Sequence, residues 1–143
     1  MKRIAIGLTA LAMSAGVAFA AGMEHKIVFQ VDESDPALFS LTLNNVQNVL
    51  AAYAEAGDTA KVEVVAYGPG LGMFVADSPV AQRIAAMSLE HDDVQFAACG
   101  NTIKALTKKL GHGPTLISEA VVVPAGVVRI TELQEQGYAY IRP

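Results

Sequence analysis

Val94-Gln95-Phe96-Ala97-Ala98-Cys99-Gly100-Asn101-Thr102-Ile103 is the stretch from which the rest of the chain is read. Val94 to Ala98 is a short apolar run of strand length, and Gly100-Asn101-Thr102 is a turn-and-cap cluster ahead of a helical pattern. Between them stands Cys99, the single cysteine of the sequence. A strand that ends in a thiol at a helix start puts the sulfur where unpaired amides and the helix dipole both favour an anion. The anion is the reactive form, and an ordinary thiol, titrating near about 8.5, supplies little of it at neutral pH. Cys99 is therefore the candidate catalytic residue, with the amides of Gly100, Asn101 and Thr102 as candidate anion-binding groups. Gly100 also removes a side chain where a second molecule would approach. The other reading stands beside this one: free cysteine is a small apolar residue that fills buried space.

Working outward, the same alternation recurs. Lys26 to Val31 reads as a buried first strand, followed by the polar turn Asp32–Asp35. Asp35 is a helix cap with Pro36 at the first helical position. Phe39, Leu43, Val46 and Leu50 then mark one helix face and Gly57 its stop, leaving Asn44, Asn45 and Asn48 to solvent. Lys61 to Tyr67 is the second strand. It runs into Gly68-Pro69-Gly70-Leu71-Gly72, a loop that must cross the sheet edge closely. No helix opens on its third glycine, so it is not a dinucleotide fingerprint, and Gly68 and Gly70 remain candidate ligand-binding positions. A cap at Ser78-Pro79 precedes a second helix through Val80, Ile84 and Met87.

After Cys99 the spacing predicts a third helix, capped by Asn101 or Thr102, with Ile103, Leu106 and Leu110 inward and Lys104, Lys108 and Lys109 outward. Ala120 to Val123 is a fourth strand stopped by Pro124. Val127, Ile130 and Leu133 predict a fourth helix, and Tyr138 to Ile141 a last strand. Continuous apolar strands alternating with helices mean a mainly parallel sheet covered on both faces, an α/β fold of a single three-layer α/β/α domain. Groups gathered outside the carboxyl ends of such strands share one edge. The loops Asp32–Asp35, Gly68–Gly72 and Cys99–Thr102 should therefore converge.

The N-terminus reads as an export signal. Lys2 and Arg3 precede the apolar Ile4–Val17, and Ala18-Phe19-Ala20 fits the cleavage pattern, so residues 1–20 are a cleaved signal peptide and 21–143 the exported domain. The expected location is the periplasm, with the mature chain soluble and without a membrane anchor. The formal net charge of −4 becomes more negative once Lys2 and Arg3 are removed. An acidic chain with no basic block and no tryptophan argues against nucleic acid and anionic membrane as partners. His25, His91 and His112 lack ligand spacing, the carboxylates Asp32, Glu33 and Asp35 form only a turn cluster, and no Gly-x-Ser-x-Gly elbow occurs. Neither a metal, a cofactor nor a partner base for Cys99 is expected.

Three motifs in this order carry a family likeness: Gly68-Pro69-Gly70, Phe96-Ala97-Ala98-Cys99-Gly100-Asn101-Thr102, and the ending Gln134-Glu135-Gln136-Gly137-Tyr138-Ala139-Tyr140-Ile141-Arg142-Pro143. Together they resemble the DsrE/DsrF-like family, over essentially the whole exported chain. The resemblance implies a five-stranded parallel sheet and homo-oligomers, trimers or hexamers. It implies that Cys99 corresponds to the cysteine on which cytoplasmic sulfur-relay subunits carry a persulfide between a sulfur-donor and an acceptor protein. The activity implied is at most that of a sulfurtransferase-like carrier. Two alternatives stand with it. One is a small-ligand module using the crevice between Gly68–Gly72 and Cys99–Thr102. The other is a structural oligomer with Met73, Phe74 and Val75 between subunits.

Overall fold

Ile27, Val28, Phe29 and Val31 are all buried, although successive residues of a strand face opposite ways. Both faces of the sheet must be covered there, and the computed structural model, which describes residues 22–143, shows how. The elements run β1 (Glu24–Val31), α1 (Pro36–Glu55), β2 (Thr59–Ala66), a 3-10 helix (Gly68–Phe74), α2 (Ala81–Glu90), β3 (Val94–Cys99), α3 (Gly100–Leu110), β4 (Ala120–Val123), α4 (Gly126–Glu135) and β5 (Ala139–Ile141). The five strands form one sheet in the order β4-β3-β2-β1-β5, every neighbouring pair parallel. This is the three-layer α/β/α domain that the alternation predicts.

The two faces are unequal. From β1 to β4 the chain steps one way across the sheet, so α1, α2 and α3 fall on one side, as right-handed crossovers require. Phe39, Leu43 and Val46 of α1 and Ile84 and Met87 of α2 pack there against Phe29, Val31, Val64 and Phe96. The return from β4 to β5 crosses the other side through α4 alone. Ile130 and Leu133 of α4 meet Val28, Val65 and Ala97, with Tyr67, Val123 and Tyr138 at the margin.

Local signals mostly act as read. Asp35 accepts the Ala37 amide at 2.8 Å ahead of Pro36, and Gly57 and Gly111 take left-handed conformations beyond their helices. Several expectations are corrected. The Gly68–Gly72 stretch is the first part of a 3-10 helix rather than an open loop. α2 begins at Ala81, because Ser78 and Pro79 form a turn whose Ser78 carbonyl accepts the Ala81 amide. Leu110, read as inward, is 56% exposed. Met73 and Phe74 are fully buried in the core of the chain itself, with Phe74 edge-on to Phe96, so they cannot also lie between subunits. None of the described helices is long and apolar enough to cross a membrane. The expected signal peptide lies outside the described residues.

Candidate functional site

Register brings the predicted edge together. Val31 pairs with Ala66, Ala66 with Ala98, and Cys99 with Val123, so the carboxyl ends of β1 to β4 are level. Cys99 is the last residue of β3 and also the N-cap of α3, a role the sequence assigned to Asn101 or Thr102. At that position a Ser, Thr, Asp or Asn oxygen usually accepts the amides of the second and third helical residues. Here the acceptor is sulfur, and those amides belong to Asn101 and Thr102. The neutral thiol makes no short capping hydrogen bond. An anion there is met by the Thr102 amide and hydroxyl, with the Asn101 amide shared between it and the Pro124 carbonyl.

A second wall comes from α4. Its first residue, Gly126, directs its backbone amide at the same sulfur, so the N-termini of two helices converge on Cys99. A Cβ on Gly126 would lie 3.3 Å from the Cys99 Cβ and 3.0 Å from the Tyr67 Cβ, so any other residue there would have to push these neighbours away by a few tenths of an ångström. The Asn101 amide also donates to the Pro124 carbonyl at 3.2 Å, tying the start of α3 to the chain entering α4. Sequence reading missed Gly126 and Tyr67. A glycine just after the end of a strand is the same signal that marked Gly100, and Ala125-Gly126 behind β4 carried it.

The electrostatics follow from this arrangement. Burial pushes the Cys99 thiol up, for the residue is only 5% exposed. The Thr102 hydroxyl and the amides of Gly126, Thr102 and Asn101 pull harder the other way, and the thiol titrates below its ordinary value. Burial pushes the neighbouring Tyr67 up, aided by Asp32, so Tyr67 stays a neutral phenol beside the sulfur.

The remaining predicted residues divide. Thr102 links two parts of the site, since its hydroxyl oxygen accepts the Gly68 amide at 2.8 Å. Gly68 is thus at the site, with its donor already used. Gly70 is not: it is buried against the Val31 backbone and its amide donates to the Tyr67 carbonyl. Gly100 makes room for the chain itself, because a Cβ there would lie 2.9 Å from the Val123 carbonyl oxygen. The space the sequence assigned to an approaching molecule is already filled. Asp32 and Glu33 are paired with Arg142 at 3.3 and 2.9 Å, and Asp35 caps α1. The histidines sit elsewhere: His25 on Asp58, stacked on Tyr53, His91 at the end of α2, and His112 beyond α3. Among the described residues no group of three His, Cys, Asp or Glu side chains could hold a metal ion.

Beside Thr102, α3 and the 3-10 helix leave an apolar groove of about 640 Å³, lined by Pro69, Leu71, Val75, Ala105 and Leu106, with Lys109 at its far end. It overlaps the crevice read between the two loops at Gly68–Gly72 and at Asn101 and Thr102, but runs on along α3 and is not lined by Cys99.

An all-parallel α/β/α domain with a thiol held at the shared edge of its sheet defines the class. No family model and no curated protein matches the chain. Among solved structures it is similar to the Protein of Unknown Function MTH1491 from Methanobacterium thermoautotrophicum, at 32% identity and a TM-score of 0.72, covering 83% of this chain and 99% of that one. The chain belongs to the same family as that protein.

Proposed function

We propose that the chain is an exported, periplasmic DsrE-like sulfur carrier that holds one sulfane sulfur on Cys99 as a persulfide. The reading rests on one observation: Cys99 caps α3 while Gly126, the first residue of α4, stands against it, so that two helix N-termini meet at a single sulfur. In the loading step the Cys99 thiolate attacks the outer sulfur of a donor persulfide, R–S–SH. A new S–S bond forms on Cys99, the donor's own S–S bond breaks, and R–S⁻ leaves with the bonding pair. An acceptor thiolate reverses these roles and restores Cys99. No oxidant is consumed, and one negative charge is present before and after. A persulfide is a stronger acid than a thiol, so the proton on the new outer sulfur passes to R–S⁻, which leaves as R–SH. The charge then sits on the Cys99 persulfide, where the amides stabilise it as they stabilised the thiolate, and near-burial suits a cargo of one atom. Assembly into a homo-oligomer, a trimer or hexamer, belongs to the same reading.

The test is intact-mass analysis of protein recovered from the periplasmic fraction, with and without reductant, and after incubation with a small organic persulfide. The expected result is a chain beginning at Ala21 that gains one reductant-labile sulfur atom, a gain absent from Cys99→Ser. A thiol that takes up no sulfur and alkylates only after denaturation would end the reading.

The groove favours a second reading, a binding module for a small apolar ligand with an anionic end at Lys109. Its volume is that of ordinary small-molecule sites. Under that reading, a medium-chain carboxylate should raise Tm in wild type and in Cys99→Ala alike. Equal stabilisation of Lys109→Met would remove the anionic end from the account.

A further inference from the structure

Among the described residues Glu63 is the charged side chain buried in the sheet, at 3% exposure. It lies on the face covered by α4, where Arg129 meets it as a fork: Nε to one carboxylate oxygen and a terminal nitrogen to the other, both at 2.7 Å. Replacing such a pair by apolar residues of similar size is often neutral or stabilising, so stability alone does not account for it. Two parallel hydrogen bonds do fix geometry. Apart from the Asn101–Pro124 hydrogen bond at its entry, α4 is held on the sheet by apolar contact, which fixes geometry poorly. Its apolar grip on the sheet is Ile130 and Leu133, while Val127 and Val128 are exposed. Two apolar contacts hold a helix down without setting how far it slides along its axis. Arg129 lies one turn beyond Gly126, which stands within 3.3 Å of Cys99 by its missing Cβ.

We propose that the Glu63–Arg129 pair is a positioning clamp for Cys99: it locks α4 against β2 so that the amide of Gly126 stays on the sulfur. The inference rests on the carrier reading for its site, and it makes Glu63 and Arg129 positioning residues that never touch the cargo. Tyr67, just beyond β2, is the titratable group facing Cys99, and Asp32, Tyr140 and Arg142 act on Tyr67 from the turn after β1, from β5 and from the tail. All are left in place by the test.

The test replaces both partners, Glu63→Leu with Arg129→Met, so that no charge is stranded and net charge is unchanged. The readout is the fraction of Cys99 present as thiolate against pH, from ultraviolet absorbance, beside urea unfolding. Stability should be kept, while the thiolate fraction at neutral pH falls about two- to fivefold, the size of a helix-terminus effect on a neighbouring charge. Glu63→Asp, which keeps both charges but shortens the reach by one methylene, should give a smaller fall in the same direction, and it decides the matter if the double variant does not fold. An ordinary thiol titration in wild type would sink the carrier reading. A low wild-type titration that the double variant, or failing it Glu63→Asp, leaves unchanged would sink the clamp alone.

Discussion

Thr102→Val should cut the fraction of Cys99 held as thiolate at neutral pH by about tenfold, while Thr102→Ser should restore it. A hydrogen bond to a charged group is worth about 1.5–3 kcal/mol, and sulfur, a weak and diffuse acceptor, belongs at the low end. Valine keeps the shape of the side chain and removes the hydroxyl that meets the anion. The rate of alkylation should fall less than the thiolate fraction, because a more basic thiolate is a better nucleophile. With a Brønsted slope of about 0.4–0.5, a tenfold loss of anion becomes about a threefold loss of rate below the titration, and the plateau at high pH should rise about threefold. That crossing of the two pH–rate curves is the signature, and a uniform slowing at all pH values would mean a steric cause instead. Stability carries the same information. The folded thiol titrates below its ordinary, unfolded value, so the anion contributes stability above the unfolded value, lost as pH falls through the folded one. Unfolding free energy should therefore rise with pH across this window in wild type and less so in Thr102→Val. The variant also strands the Gly68 amide, whose acceptor is the Thr102 oxygen, and this adds a loss of about 1–3 kcal/mol at every pH.

What could be read from the residues, and what could not, follows the range of the interactions. The parallel sheet was legible because Val28 and Phe29 are apolar in succession, which only a sheet covered on both faces requires. Asp35-Pro36 and Gly57 were legible because a cap acts within one turn of the chain. Cys99 was legible as the end of a strand and the start of a helix. Its second wall was not: Gly126 reaches the thiol only through the crossover that carries α4 over the sheet, and no local pattern encodes which residue of that helix faces which strand. Glu63 shows the same limit. In Lys61-Val62-Glu63-Val64 it reads as a polar residue in an alternating strand, and its half-buried partner is 66 positions away. Leu110 was misplaced by periodicity for a related reason. It is the last residue of α3, and an apolar residue at a helix end need not be covered; Val127, second in α4, is exposed in the same way.

The largest loss of stability is expected at Gly70, and the glycines on either side of it provide the comparison. A Cβ on Gly70 would stand 2.2 Å from the Val31 carbonyl oxygen and 2.5 Å from its carbon, both backbone atoms at the end of a central pairing. Neither can turn away as a side chain would, so Gly70→Ala should cost about 3 kcal/mol or more, at or beyond the upper end of ordinary overpacking. Gly68 has open space but a φ of +54°, so Gly68→Ala should cost about 1–2 kcal/mol, the left-handed penalty alone. A Cβ on Gly72 would find its nearest atoms at 3.6 Å and beyond, in ordinary contact. Gly72→Ala should be neutral, or stabilising by about 0.4–1 kcal/mol through the unfolded chain. Urea midpoints of the three variants, compared at constant m, test the order directly. Equal midpoints for Gly70→Ala and Gly72→Ala would show that the 3-10 helix does not press on β1 as described. The substitution should also reach the thiol. Pushing the 3-10 helix off Val31 moves the Gly68 amide away from Thr102, and a Thr102 hydroxyl released from that contact no longer has its position over Cys99 fixed. Gly70→Ala that still folds should therefore show a higher thiol titration than Gly72→Ala, linking the close crossing of the chain at the sheet edge to the chemistry beside it.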